Sequence, residues 1–215
     1  MRRKNDTRQM EIKRLLRLHE TRKNAIRARL REFARVPPQD YFYELVYCLL
    51  TPQSSAERAE MVVAALREQH FAELGGDPEP ILRMPAHYIR FHRTKARHLV
   101  RAREEFSEIS AELKNGSPAP DLREWLTRHV MGLGYKEATH FLRNIGRNGG
   151  LAILDRHILR NLKRFGVIRT VPPALSRKRY LKLEQSFQKF AGRIGIPLDE
   201  LDLLFWSMET GEIRK

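Results

Sequence analysis

Apolar positions recur along this chain at helical spacing, and the repeats are separated by proline, glycine or a capping residue. Ile12, Leu15, Leu16, Ile26, Leu30 and Phe33 fall on one stripe of a first helix whose other face is Arg and Lys. Tyr41 to Leu50 is almost wholly apolar and predicts a short buried helix. Ser54 with Glu57 has capping-box spacing and predicts a helix running to about His70. Asp77 before Pro78 opens a short one. Leu99, Ala102, Phe106, Ile109 and Leu113 make one stripe on a longer helix, and Asp121 with Glu124 starts the next. Ser176 opens a helix striped by Tyr180, Leu183, Phe187, Phe190 and Ile194. Pro197 opens the last, with Leu201, Leu204 and Phe205. No period-two strand and no hairpin turn is found, the only strand-like run being Leu151 to Leu154. The predicted class is all-α.

The segment 122–146, LREWLTRHVMGLGYKEATHFLRNIG, has a more specific layout. A helix ends near His129, the turn Met131-Gly132-Leu133-Gly134-Tyr135 follows, and a second helix begins at Lys136. Glycines at 132 and 134 allow positive φ and a close backbone approach to a ligand. Successive N–H groups beside a helix N-terminus suit a phosphate, and such a contact is read without sequence preference. An ordinary helix corner would also place glycine there. Lys136 stands at a helix N-terminus, an unfavourable place for a cation and therefore one that favours a nucleophilic amine. Nineteen residues later the run Leu151–Leu154 delivers Asp155 to the start of a helix, where it reads as an N-cap and as a carboxylate able to face substrate.

Composition narrows the partner. The 215 residues carry 41 Lys and Arg against 26 Asp and Glu, a formal charge of +15. That surplus points to a polyanion, most commonly nucleic acid. Residues 1–35 hold a disproportionate share of it. The single cysteine, Cys48, supplies neither a disulfide nor a four-thiolate cluster, and the eight His lack metal-ligand spacing, so no metal site is expected. A mean hydropathy of -0.55 and the lack of any apolar run of membrane-spanning length exclude a spanning helix. The basic start has no apolar stretch after it, so no secretion signal is expected.

The hairpin with Lys136 spaced before Asp155 resembles the helix-hairpin-helix DNA glycosylase superfamily. The strings GLGYKEATHFLRNIG and LAILDRHIL, with YELVYCLLTPQSSAE and the ending LLFWSMETGEIRK, resemble more closely its archaeal-type 8-oxoguanine DNA glycosylase/lyase family. The likeness runs from about residue 40 onward. It implies two helical lobes, 41–146 with the hairpin and 1–40 plus 147–215, with a catalytic cleft between them. It implies that Lys136 attacks C1′ of the damaged nucleoside and forms a Schiff base, that β-elimination then cuts the strand, and that Asp155 stabilises positive charge on the sugar. By the same resemblance Trp206 and Phe91 flank the flipped base, Asp202 and the Lys215 carboxylate are its polar partners, Gln53 fills the gap, and Gly132 and Gly134 hold phosphate. Trp206 as a core residue beside Leu204 and Phe205, and Lys215 as a frayed terminus, are the competing readings. No cofactor is required, although related hairpins hold a monovalent cation on backbone carbonyls. The implied partner is double-stranded DNA with oxidised guanine, acted on by a monomer in the cytoplasm at the nucleoid. An endonuclease III-type enzyme for oxidised pyrimidines uses the same pair but commonly carries a four-cysteine cluster. A non-catalytic hairpin module is the third reading.

Overall fold

The computed structural model describes residues 2–213, with side chains from residue 8. Among the described residues there is no strand, and twelve α-helices carry the fold. They are α1 (Arg2–Ala34), α2 (Tyr41–Leu50), α3 (Ala56–Glu68), α4 (Phe71–Leu74), α5 (Glu79–Leu82), α6 (His92–Glu104), α7 (Phe106–Lys114), α8 (Ala119–His129), α9 (Tyr135–Asn144), α10 (Arg156–Arg164), α11 (Arg177–Ile194) and α12 (Leu198–Thr210). The chain divides into two compact units, residues 35–149 and residues 1–34 with 150–215.

The 35–149 unit is built around α2, which packs on α3, α6 and α9. Nine of its ten residues are buried, so it has no polar face to offer solvent. Its one acid, Glu44, accepts from Asn144 Nδ2 on α9 at 2.9 Å, which satisfies a buried carboxylate. Phe42 meets Tyr43 and Phe106 edge-on at 5.3 and 5.2 Å.

The other unit closes α1 against α12. Leu15, Ile26 and Phe33 supply the buried face of α1. Glu200 of α12 takes two partners from it, His19 Nε2 at 2.6 Å and Arg27 Nε at 2.7 Å. Arg22 adds bonds to the carbonyl and hydroxyl of Ser207. Behind them Phe205 stacks between Phe165 and Phe187, with centroids 5.3 and 5.6 Å away.

Four sequence expectations change. The cap of α3 is Ser55, whose hydroxyl accepts from Arg58 N, and Ser54 is released for other bonds. The stripe expected from Leu99 to Leu113 is two helices, broken at Glu105, and Phe106 turns toward Phe42 instead of continuing the stripe. Helix α8 starts at Ala119, before Asp121, because Pro120 fits the first turn where its missing N–H costs nothing. Leu16 lies at the exposed edge of its helix, about 100° round from Leu15.

Candidate active site

In the 35–149 unit the chemistry gathers on the α8–α9 hairpin. Arg123, buried on α8, donates to Thr139 Oγ1 at 3.3 Å, and its guanidinium lies 5.1 Å from the Tyr135 ring. The Tyr135 hydroxyl donates in turn to Glu124. These contacts lock the two helices at the turn. Gly132 is at φ +85°, as a tight hairpin requires. A Cβ there would stand 2.2 Å from His98 Nδ1, so the hairpin tip rests directly on α6. Burial, with the fields of Arg97 and Lys95, lowers the His98 pKa and favours its neutral ring. Gly134 differs from expectation: at φ -84° and ψ -179° it is extended, and it serves as the N-cap of α9. Because glycine has no side chain, nothing caps the first N–H groups of α9. Arg101, Arg128 and His129 line an open depression with residues 130–134. Two guanidinium groups thus border the same depression as the hairpin backbone that leads into the uncapped start of α9.

Lys136 is the second residue of α9, one later in the helix than its sequence pattern suggests. It is half-buried, and its ammonium makes no hydrogen bond or ion pair with another described residue. Its backbone is held in register by the helix.

Two further predicted residues lie in this unit, each in a strained turn. Gln53 is exposed at φ +56°, and Phe91 is half exposed at φ +60°. Non-glycine residues in this region cost energy and cluster at functional sites. The Arg90 guanidinium lies 4.9 Å from the Phe91 ring.

The other unit carries Asp155. The run 151–154 is buried but forms no strand. It is held by α11 instead: Ala152 N donates to Glu184 at 2.8 Å, the Tyr180 hydroxyl donates to Ala152 O at 2.6 Å, and Leu154 N donates to that hydroxyl at 3.1 Å. Asp155 then caps α10, its Oδ1 accepting from Ile158 N at 2.8 Å. One oxygen serves the cap and the residue stays half-buried, so cap and charge are both available.

Trp206 is half-buried on α12, unlike its fully buried neighbours Leu204 and Phe205. It meets His157 of α10 edge-on at 6.1 Å. Asp202, one turn earlier, is buried. Lys215 lies outside the described residues. His157 carries no signal in the sequence pattern, although LDRHIL places it two residues after Asp155. Lys95 and His98 are likewise hidden among the basic residues of HRTKARHLVRAR. No group of three or more His, Cys, Asp or Glu able to hold a metal occurs among the described residues. No helix among them is long and apolar enough to cross a membrane.

An all-helical chain with a lysine placed just after a glycine hairpin has the layout of a helix-hairpin-helix DNA glycosylase, and comparison with known proteins makes the assignment specific. The 8-oxoguanine DNA glycosylase family model matches residues 26–196. The 8-oxoguanine DNA glycosylase/AP lyase of Korarchaeum cryptofilum is 39% identical over 191 residues, covering 88% of this chain and 90% of its own. That of Fusobacterium nucleatum is 37% identical over 196 residues, covering 87% and 89%. The crystal structure of the Methanocaldococcus jannaschii 8-oxoguanine glycosylase/lyase in complex with a 15mer DNA containing 8-oxoguanine aligns with a TM-score of 0.85 at 32% identity, covering 96% of this chain and all of that one. The 8-oxoguanine DNA glycosylase of Thermotoga maritima aligns at 0.84 and 34%, with coverage of 97% and 100%. The chain belongs to the 8-oxoguanine DNA glycosylase family.

Proposed function

We propose that this protein removes 8-oxoguanine from double-stranded DNA and cuts the strand at the resulting abasic site. The observation that carries the reading is Lys136, half-buried, without a hydrogen bond or ion pair to another described residue, and fixed in the first turn of α9 beside the glycine hairpin. Its neutral amine attacks C1′ of the flipped nucleotide, and the C–N bond to the base breaks with the base taking up a proton. The Asp155 carboxylate stabilises the positive charge that develops on the sugar during this displacement. Ring opening gives a Schiff base between Lys136 and C1′. The iminium acidifies C2′–H, and loss of that proton expels the 3′ phosphate. Water then hydrolyses the imine and returns the lysine. The scheme needs no cofactor, since the iminium is its electron sink.

In this reading Phe91 and Trp206 flank the extruded base, Asp202 and the Lys215 carboxylate are its polar partners, and Gln53 fills the gap in the duplex. Gly132 and Gly134 let backbone N–H groups hold phosphate. The protein acts as a monomer, in the cytoplasm where the chromosome lies.

Borohydride trapping on a duplex with 8-oxoguanine tests the reading. A covalent adduct is expected for the unaltered protein and none for Lys136→Gln, with folding unchanged. Equal trapping by both proteins overturns the role of Lys136. Faster release of thymine glycol than of 8-oxoguanine overturns the substrate.

A further inference from the structure

One buried cation has no part in the scheme above. Lys95 on α6 is 5% exposed, and its ammonium donates to Leu50 O at 2.6 Å, Pro52 O at 2.6 Å and Ser54 Oγ at 3.2 Å. A lysine ammonium has three donors, and here each has one acceptor. Two of these acceptors, on Pro52 and Ser54, flank Gln53 in its turn, and the third, Leu50 O, ends the helix that leads into it. The Ser54 hydroxyl also accepts from Arg90 N at 3.2 Å, which joins the same ammonium to the turn that carries Phe91. Phe91 is itself tied to Lys95 through the backbone, since Lys95 N donates to Phe91 O at 3.0 Å.

The two turns held in this way contain Gln53 and Phe91, two of the three non-glycine residues at positive φ among the described residues. Such conformations persist only where the surroundings over-determine them. Gln53 is exposed and Phe91 half exposed, so side-chain packing alone does not account for either conformation. Burial pushes Lys95 down to about 8 against the opposing field of Glu137, the neighbour of Lys136 on α9. The fold therefore bears a desolvation cost to keep a cation there. One turn along α6, His98 supports the hairpin tip at Gly132.

We propose that Lys95 is a positioning residue for lesion recognition. Its ammonium sets the Gln53 turn and the Phe91 turn at one fixed spacing, so that gap filling and capture of the extruded base occur as a single pre-set engagement. This rests on the roles given to Gln53 and Phe91 above. Fixing the two turns in advance removes an ordering cost from the step in which the base leaves the stack.

The test compares single-turnover excision at 8-oxoguanine with cleavage of a preformed abasic site, both corrected for the active fraction measured by borohydride trapping. Lys95→Met is expected to slow excision about tenfold or more and to leave abasic-site cleavage within about threefold. Ser54→Ala removes only the link between the turns. It is expected to act in the same direction more weakly, and it serves if Lys95→Met does not fold. In a double-mutant cycle Gln53→Ala is expected to cost much less once Lys95→Met is present. Equal loss of both activities, no loss of excision, or independent effects of Lys95 and Gln53 would overturn the proposal. If Gln53→Ala and Phe91→Ala leave excision unchanged, the roles of those two residues fail whatever Lys95 does.

Discussion

Gly132 sits so close to His98 that a single added carbon would lie 2.2 Å from the imidazole Nδ1. The hairpin tip therefore has two reasons to be glycine, the neighbour beneath it and its φ of +85°. Gly132→Ala should lower stability by about 1–3 kcal/mol and weaken duplex binding at moderate salt. Gly134→Ala should cost about 1 kcal/mol or less, because its backbone is extended and the nearest atom, Glu137 Oε2 at 2.9 Å, is the tip of a side chain that can swing away. Denaturant titration and salt-dependent binding of both variants check the contrast.

Asp155 combines two jobs that substitution can separate. Asparagine still accepts from Ile158 N, so Asp155→Asn should keep stability within about 0.5 kcal/mol while excision falls by an order of magnitude or more. Asp155→Ala should lose the same activity and a further ~1 kcal/mol of stability. Equal excision by the asparagine variant and the unaltered protein would leave Asp155 as a cap alone.

The Tyr180 hydroxyl donates to Ala152 O and accepts from Leu154 N, both buried. Tyr180→Phe leaves both backbone groups without that partner and should cost about 1–3 kcal/mol. Since those bonds fix the stem of Asp155, excision per folded molecule should fall too, as read by thermal unfolding and single-turnover rates on one preparation.

Glu11 accepts from Arg164 Nε at 2.6 Å, and this bond outweighs burial to hold its carboxyl below the ordinary value. A carboxylate lowered in the folded state adds stability that is present above its unfolded pKa and is lost as pH falls through the folded one. Glu11→Gln should therefore be less stable at pH 7, by under about 1 kcal/mol because the pair is open to solvent. The difference should shrink steadily below pH 4.5, the ordinary carboxyl value, and vanish in acid. Denaturant midpoints of both proteins across that range provide the check.

The features legible in the sequence were those set by local pattern. Apolar spacing located the helices, the G-x-G turn located the hairpin, and Asp155 before HIL reads as a cap and is one. Choices between near-equivalent residues were less visible. Ser54 and Ser55 both precede a helix, and the tertiary demand of Lys95 and Arg90 on Ser54 leaves the cap to Ser55. Lys95 itself was hidden because its acceptors include two backbone carbonyls, which any residue supplies. The support under Gly132 was hidden for a related reason, since His98 comes 34 positions earlier and reaches the hairpin only through the packing of the 35–149 unit.

The pairing of α1 with α12 bears on how the molecule is made. Residues 35–149 are consecutive, so every residue of that unit is synthesised before Glu200 and Ser207. Helix α1 finds Glu200 and Ser207 only after the ribosome has added more than 160 residues beyond its end. Throughout that interval the apolar stripe of Leu15, Ile26 and Phe33 lacks the α12 surface that covers it in the folded chain, and exposed apolar surface of this kind is what makes a nascent chain prone to aggregate.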